Sequence, residues 1–272
     1  MKISISNIIW SKGRQNLPSF LSALSNQGVE GVELALNCLW QEPTEISKDD
    51  LKWLKTMISD YQLKLISLHS LTYSRPDLEI FLDYTKRKDF IRYLKKYCDL
   101  ARELDCQHIV LGSPKSRVTY GRSKEELDKI FLDFLHQIDN NADGIFFNIE
   151  SLSKDYCDYL NSHIEIVDLI KNADLKNVFL QLDVRSIIEA KENIDNIFQN
   201  SGYIKHVHVG NPGIKIPAEP FIKIHRSVSK ELKNIGYDGY ITAEVLKLKY
   251  GNNEIMHNYL DKTVEIMREL YD

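Results

Sequence analysis

Eight short runs of β-branched and apolar residues alternate with longer amphipathic stretches along almost the whole chain, and this alternation constrains the fold more than any other feature. The runs are KISISNII at 2–9, GVELALN at 31–37, LKLISLHS at 63–70, HIVLGS at 108–113, GIFFNIES at 144–151, VFLQLDVR at 178–185, YIKHVHVG at 203–210 and YITAEVL at 240–246. Between them, 88–105 carries Phe90, Ile91, Leu94, Tyr97, Cys98 and Ala101 at helical spacing, and 220–236 starts at a Pro and stops at a Gly, as a helix does. Repeated βα units make a parallel sheet. NIIWSKG follows the first strand in place of the GxGxxG of an open dinucleotide-binding sheet, so the expectation is an α/β chain closed into a single (β/α)8 TIM barrel. No linker or charge block divides residues 1–272, which suit one barrel of roughly 250 residues.

Composition excludes more than it selects. With 43% hydrophobic and 27% charged residues the chain is neither fibrous nor disordered. A formal charge of -4 offers no polycationic face for counterion release, so no nucleic-acid partner is expected. Cys38, Cys98, Cys106 and Cys157 lack the paired spacing of a zinc knuckle and read as reduced packing thiols. MKISISNIIW is not a signal peptide, and no segment reaches the roughly 20 apolar residues of a membrane span, so a cytoplasmic location is expected.

A barrel of this kind places its active site at the C-terminal strand ends. That filter selects Glu33, His69, Glu150, Asp183, His206, His208 and Glu244, a vocabulary of metal ligands. Glu150, Asp183, His208 and Glu244 fall on the last four strands among apolar neighbours, where converging carboxylates would be costly without a cation. Three carboxylates with one imidazole suit one divalent ion, Mn²⁺ foremost, with Mg²⁺, Co²⁺ or Zn²⁺ as alternatives. Each residue also has a plainer reading: Glu33 paired with a basic side chain, His69 as a satisfied core histidine, His206 and His208 as a hydrogen-bonded strand pair. The loop LGSPKSRVTYGR carries Lys115, Arg117 and Arg122, which could dock a phosphate or carboxylate or could be a solvated basic loop. Trp10 and Trp40 follow the first two strands, as sugar-stacking platforms or as packing.

GVELAL, ISLHSL, FFNIES, LQLDVR, KHVHVG and GYDGYITAEVL occur in order over almost the whole chain, and together they resemble the xylose-isomerase-like superfamily of sugar isomerases and epimerases. The ketose 3-epimerase branch is the nearest comparison. The resemblance implies that Glu150, Asp183, His208 and Glu244 bind one divalent metal, and that Glu150 and Glu244 exchange protons with a hydroxy-carbonyl substrate through an enediolate. It also marks two departures. Ser186 stands where the branch has a substrate-contacting His, and Asn211 stands where a Glu follows the metal-binding His, with no Arg until Arg226, which points away from free ketohexoses. Arg185, between the Asp and the Ser, is expected to face the opposite side of the strand as a structural residue.

The leading expectation is therefore a metal-dependent isomerase or epimerase of a sugar or sugar-phosphate-like compound. Dehydration of a keto-polyol on the same site is the alternative, an AP-endonuclease-like phosphodiesterase a lesser one, and a non-enzymatic binding barrel a fourth. The partner is a small carbohydrate-like molecule, and a homodimer or homotetramer is open.

Overall fold

The computed structural model describes residues 1–10, 12–246 and 253–272. In chain order the elements are β1 (Lys2–Ser6), α1 (Leu17–Asn26), β2 (Gly31–Leu34), α2 (Lys48–Asp60), β3 (Lys64–Leu68), α3 (Tyr84–Glu103), β4 (His108–Leu111) and α4 (Lys124–Asp139). They continue with β5 (Phe146–Glu150), α5 (His163–Ile170), β6 (Val178–Asp183), α6 (Val184–Ala190), α7 (Ile194–Phe198), β7 (Ile204–Val209), α8 (Ile222–Asn234), β8 (Tyr240–Ala243) and α9 (Asn253–Tyr271). All neighbouring strands pair in parallel, and β8 returns to β1 with Lys2 opposite Tyr240 and Ala243 opposite Ile5, closing the barrel. The expected TIM barrel is the observed fold.

Local chemistry explains the elements. The stripe Phe90, Tyr93, Leu94, Tyr97, Cys98 and Ala101 buries one face of α3, which Asp83 caps by accepting from Lys86 N–H. A reciprocal capping box between Ser123 and Glu126 starts α4. On the strands, Ile3, Ile5, Val32, Leu34, Ile109, Leu111, Phe147, Ile149, Leu180, Leu182, Val207 and Val209 are buried toward the helices. Alternation then turns Ser4, Ser6, Glu33, Ser67, Asn148, Gln181, His206, His208 and Thr242 into the lumen, all buried as well. Barrel interiors are usually layered with branched apolar side chains. Here most of the lumen positions are polar instead, with Leu65 and Val110 among the apolar exceptions.

The sequence runs overshoot the C-terminal strand ends. β1 stops at Ser6 where the run reaches 9, β2 at Leu34 where it reaches 37, and β6 at Asp183 where it reaches 185. At these points the chain turns into short helices whose first N–H groups are capped by Ser6 and Asp183 side chains. All four cysteines are free. Among the described residues no helix is long and apolar enough to cross a membrane.

Candidate active site

β5 ends on Glu150, β6 ends on Asp183, β7 carries His208 one residue before its end, and Glu244 follows β8 with its N–H donated to Val209 O at 3.0 Å. These positions converge at one mouth of the barrel. Donor atoms of Glu150, His208 and Glu244 lie within 4.8 Å of one another. Asp183 joins them through Arg185, whose Nη2 is 2.9 Å from Glu150 Oε1, 2.8 Å from Asp183 Oδ2 and 3.6 Å from Glu244 Oε2.

Beneath this cage lies Glu33. It has no exposed surface and accepts from His206 Nε2 at 2.8 Å, from His208 Nε2 at 2.9 Å and from Ser67 Oγ. With Nε2–H committed to Glu33, His208 turns Nδ1 toward Glu244 Oε2 at 3.6 Å, and this buried nitrogen has no hydrogen-bond partner among the described residues. An imidazole oriented by a carboxylate, with its other nitrogen unpaired beside clustered carboxylates, is a donor set that could hold a divalent cation. The residues present fit such an ion. His69 completes the group, with Nδ1 3.4 Å from Glu244 Oε1 and Nε2 2.7 Å from Ser6 Oγ.

The two glutamates differ in charge state. Burial and the repulsion of Glu244 push Glu150 up to about 7, against the pull of Arg185. Burial acts on Glu244 in the same sense, but Arg185 and His208 outweigh it and hold Glu244 well below the usual carboxylate range. Glu33 is likewise held low, its burial outweighed by His208 and His69. With only Arg185 in the cage, Glu150 is the carboxyl of the pair that more readily holds a proton and Glu244 the one that stays ionised.

Several residues position this pair without having stood out in the sequence. A Cβ on Gly112 would overlap Glu150 Oε2, so only glycine leaves that carboxylate its place. His163 Nε2 accepts from Asp183 N–H at 3.0 Å while its Nδ1 pairs with Glu192 at 2.6 Å, fixing the end of β6. Gly112 and His163 carry no motif signal, because their roles depend on strands that meet only in the closed barrel.

Other expectations are corrected. Arg185 does not face away: β6 ends at Asp183, α6 begins, and the guanidinium turns back into the carboxylates. Arg117 is no anion dock, since it is fully buried and donates to Glu150 O at 2.9 Å and Leu111 O at 2.6 Å. Arg122 is similarly tied to Phe81 O, leaving Lys115 exposed alone. Glu33 and His206 are both buried and hydrogen-bonded to each other at 2.8 Å, the ion-paired reading of Glu33. His206 also lines a cavity of about 580 Å³ at the opposite mouth with Lys64, His108, Lys205 and Tyr240. Trp10 packs on Phe20 and His257, and Trp40 is half-buried beside Trp53, so neither is a free stacking platform. Ser186 Oγ lies 2.9 Å from Ser151 O and 3.1 Å from Asp183 Oδ2, at the edge of the carboxylate group, and Asn211 is held by His225 and Ala218.

Residues 21–270 match the family model described as xylose isomerase-like TIM barrel, and the chain belongs to that family. Among curated proteins, a D-psicose 3-epimerase from Ruminiclostridium cellulolyticum is 29% identical over 107 residues, a match spanning 38% of this chain and 35% of that protein. A crystal structure of D-psicose 3-epimerase with D-tagatose from Clostridium cellulolyticum H10 superposes with a TM-score of 0.83 at 18% identity, covering 100% of each chain. A 3-keto-D-glucoside 4-epimerase from E. coli superposes with a TM-score of 0.78 at 17% identity, covering 97% of this chain and 99% of that one.

Proposed function

We propose that this chain is a divalent-metal-dependent isomerase or epimerase of a sugar or sugar-phosphate-like hydroxy-carbonyl compound. The observation that carries the reading is the convergence of donor atoms of Glu150, His208 and Glu244 within 4.8 Å of one another, with Asp183 tied to the same group through Arg185. Glu150, Asp183, His208 and Glu244 would hold the cation, with Mn²⁺ favoured. Bound there, the ion would polarise the substrate's carbonyl and neighbouring hydroxyl oxygens and acidify the hydrogen on the carbon between them. Glu150 and Glu244 would be the acid and base pair, one removing that proton to leave an enediolate and the other returning one. Removal and return on opposite faces of one carbon is epimerisation, whereas return at the adjacent carbon is aldose–ketose isomerisation. His69 holds Glu244 in place at 3.4 Å.

Epimerase names among the relatives support this reading, as does the fold they share with this chain. Phosphodiester cleavage is not favoured: the histidine of β4, His108, starts that strand and lies at the opposite mouth. The exposed Lys115 is the remaining candidate for a substrate phosphate.

The test is proton exchange. With Mn²⁺ present in D₂O, ketoses such as D-fructose and D-tagatose and their phosphates are screened by mass spectrometry and NMR. Deuterium entering the carbon next to the carbonyl, and lost in Glu150→Gln and Glu244→Gln, supports the proposal. Loss of water from the substrate instead would replace it with the dehydratase, and absence of any exchange across the screen would overturn it.

A further inference from the structure

We propose that Arg185 is the resident counter-ion of the carboxylate cage, that a divalent cation must displace its guanidinium to bind, and that Glu189 receives the displaced guanidinium. The inference rests on the metal reading of Glu150, Asp183, His208 and Glu244 and goes beyond it, because it assigns a switch to residues outside that ligand set.

The position of the guanidinium is specific. One nitrogen, Nη2, lies 2.9 Å from Glu150, 2.8 Å from Asp183 and 3.6 Å from Glu244, so it stands where a cation shared by the three carboxylates would stand. Both cannot be there at once. A carboxylate cluster stripped of all positive charge is costly in a buried site, so a cation there, guanidinium or metal, is favoured over leaving the carboxylates to repel one another or take up protons.

Arg185 is also built to leave. Its backbone is fixed as the second residue of α6, with N–H donated to Asp183 Oδ1 at 2.9 Å, while the long side chain keeps its own torsions. In the cage its Nε is buried without a hydrogen-bond partner among the described residues, so the fit is incomplete. Buried donors left unmade weaken a bound state, which favours exchange for a better-matched ion. Glu189 lies four positions further along α6, the spacing at which side chains on one helix face meet. Its Oε2 is buried and has no hydrogen-bond partner among the described residues. An unpaired carboxylate oxygen one turn from a displaceable guanidinium is a receiving site already in place.

The two residues therefore define alternative states: Arg185 in the cage without metal, and Arg185 on Glu189 with the cage loaded. An internal competitor lowers apparent metal affinity by the fraction of molecules in which it occupies the site. Removing it raises affinity. Removing the receiving carboxylate lowers affinity only while Arg185 is present.

The experiment is Mn²⁺ binding, read as free Mn²⁺ by electron paramagnetic resonance, on the full chain, Arg185→Met, Glu189→Gln and the double variant. Arg185→Met is expected to bind about tenfold more tightly or better. Glu189→Gln is expected to bind severalfold more weakly, with no effect once Arg185 is gone, a non-additive pair. Thermal melts add a second readout, with Arg185→Met less stable than wild type without Mn²⁺ and recovered by it. If Arg185→Met cannot be purified folded, Glu189→Gln alone decides. Wild type that binds while Arg185→Met binds equally or more weakly, or Glu189→Gln that binds like wild type, overturns the switch and leaves the metal site standing. Failure of wild type and Arg185→Met alike to bind Mn²⁺ overturns the metal reading and the switch with it.

Discussion

Glu33 accepts from His208 Nε2 at 2.9 Å on a carboxylate with no exposed surface, and this bond decides which imidazole nitrogen faces the cage. A ligand histidine without such a partner can rotate or take the wrong tautomer. Glu33→Gln is expected to weaken Mn²⁺ binding by about 10- to 100-fold with the barrel still folded, measured by titration alongside circular dichroism. Unchanged affinity in a folded variant would show that Glu33 does not orient His208.

Gly112 and Glu150 compete for the same space. Because a Cβ at 112 would overlap Glu150 Oε2, Gly112→Ala is expected to move the carboxylate and lower kcat/KM by about a hundredfold, with Mn²⁺ affinity falling in parallel. Kinetics on the substrate found by deuterium exchange checks this. A fully active Gly112→Ala protein would mean that Glu150 has room to spare.

Arg117 serves structure in this account, not substrate charge. Arg117→Met leaves two buried carbonyls, Glu150 O and Leu111 O, without their donor, and is expected to cost about 3 kcal/mol in urea unfolding. Its KM should change alike for neutral and phosphorylated substrates. A rise confined to phosphorylated substrates would restore Arg117 as an anion contact.

His225 makes the fold sensitive to acid. Burial pushes its imidazole down from 6.5 to about 4, with Nε2–H donated to Asn211 Oδ1 at 2.8 Å and Nδ1 3.0 Å from the Tyr271 hydroxyl. The folded state keeps this histidine neutral, while the unfolded chain binds a proton as pH drops below 6.5. Stability is therefore fully present above 6.5 and is lost as pH falls to about 4, by about 3 kcal/mol from this group. Urea unfolding of wild type and His225→Gln across that window should converge toward low pH. Parallel curves would exclude His225 as the source.

The barrel was legible because period-two strands between amphipathic helices are written locally, residue by residue. Four strand-end residues, Glu150, Asp183, His208 and Glu244, were legible too, since acids and imidazoles among apolar neighbours stand out. Depth was not. His206 shares the same vocabulary, yet it pairs with Gln181 while His208 pairs with Asp183, and only strand register separates the two layers. Arg185 was misread because strand alternation was carried past Asp183, where the chain had already turned into α6. Arg117 read as a loop cation, but it threads back to carbonyls on two strands, a path that spacing does not encode.

The most direct measurement is the metal content of the purified chain and of its Glu150→Gln and Glu244→Gln variants, each saturated with Mn²⁺ and then desalted. About one ion per wild-type chain is expected, with folded variants retaining less, if Glu150, Asp183, His208 and Glu244 form the proposed site. Wild type that stays metal-free at saturating Mn²⁺, Co²⁺, Mg²⁺ and Zn²⁺ would contradict the account at its centre.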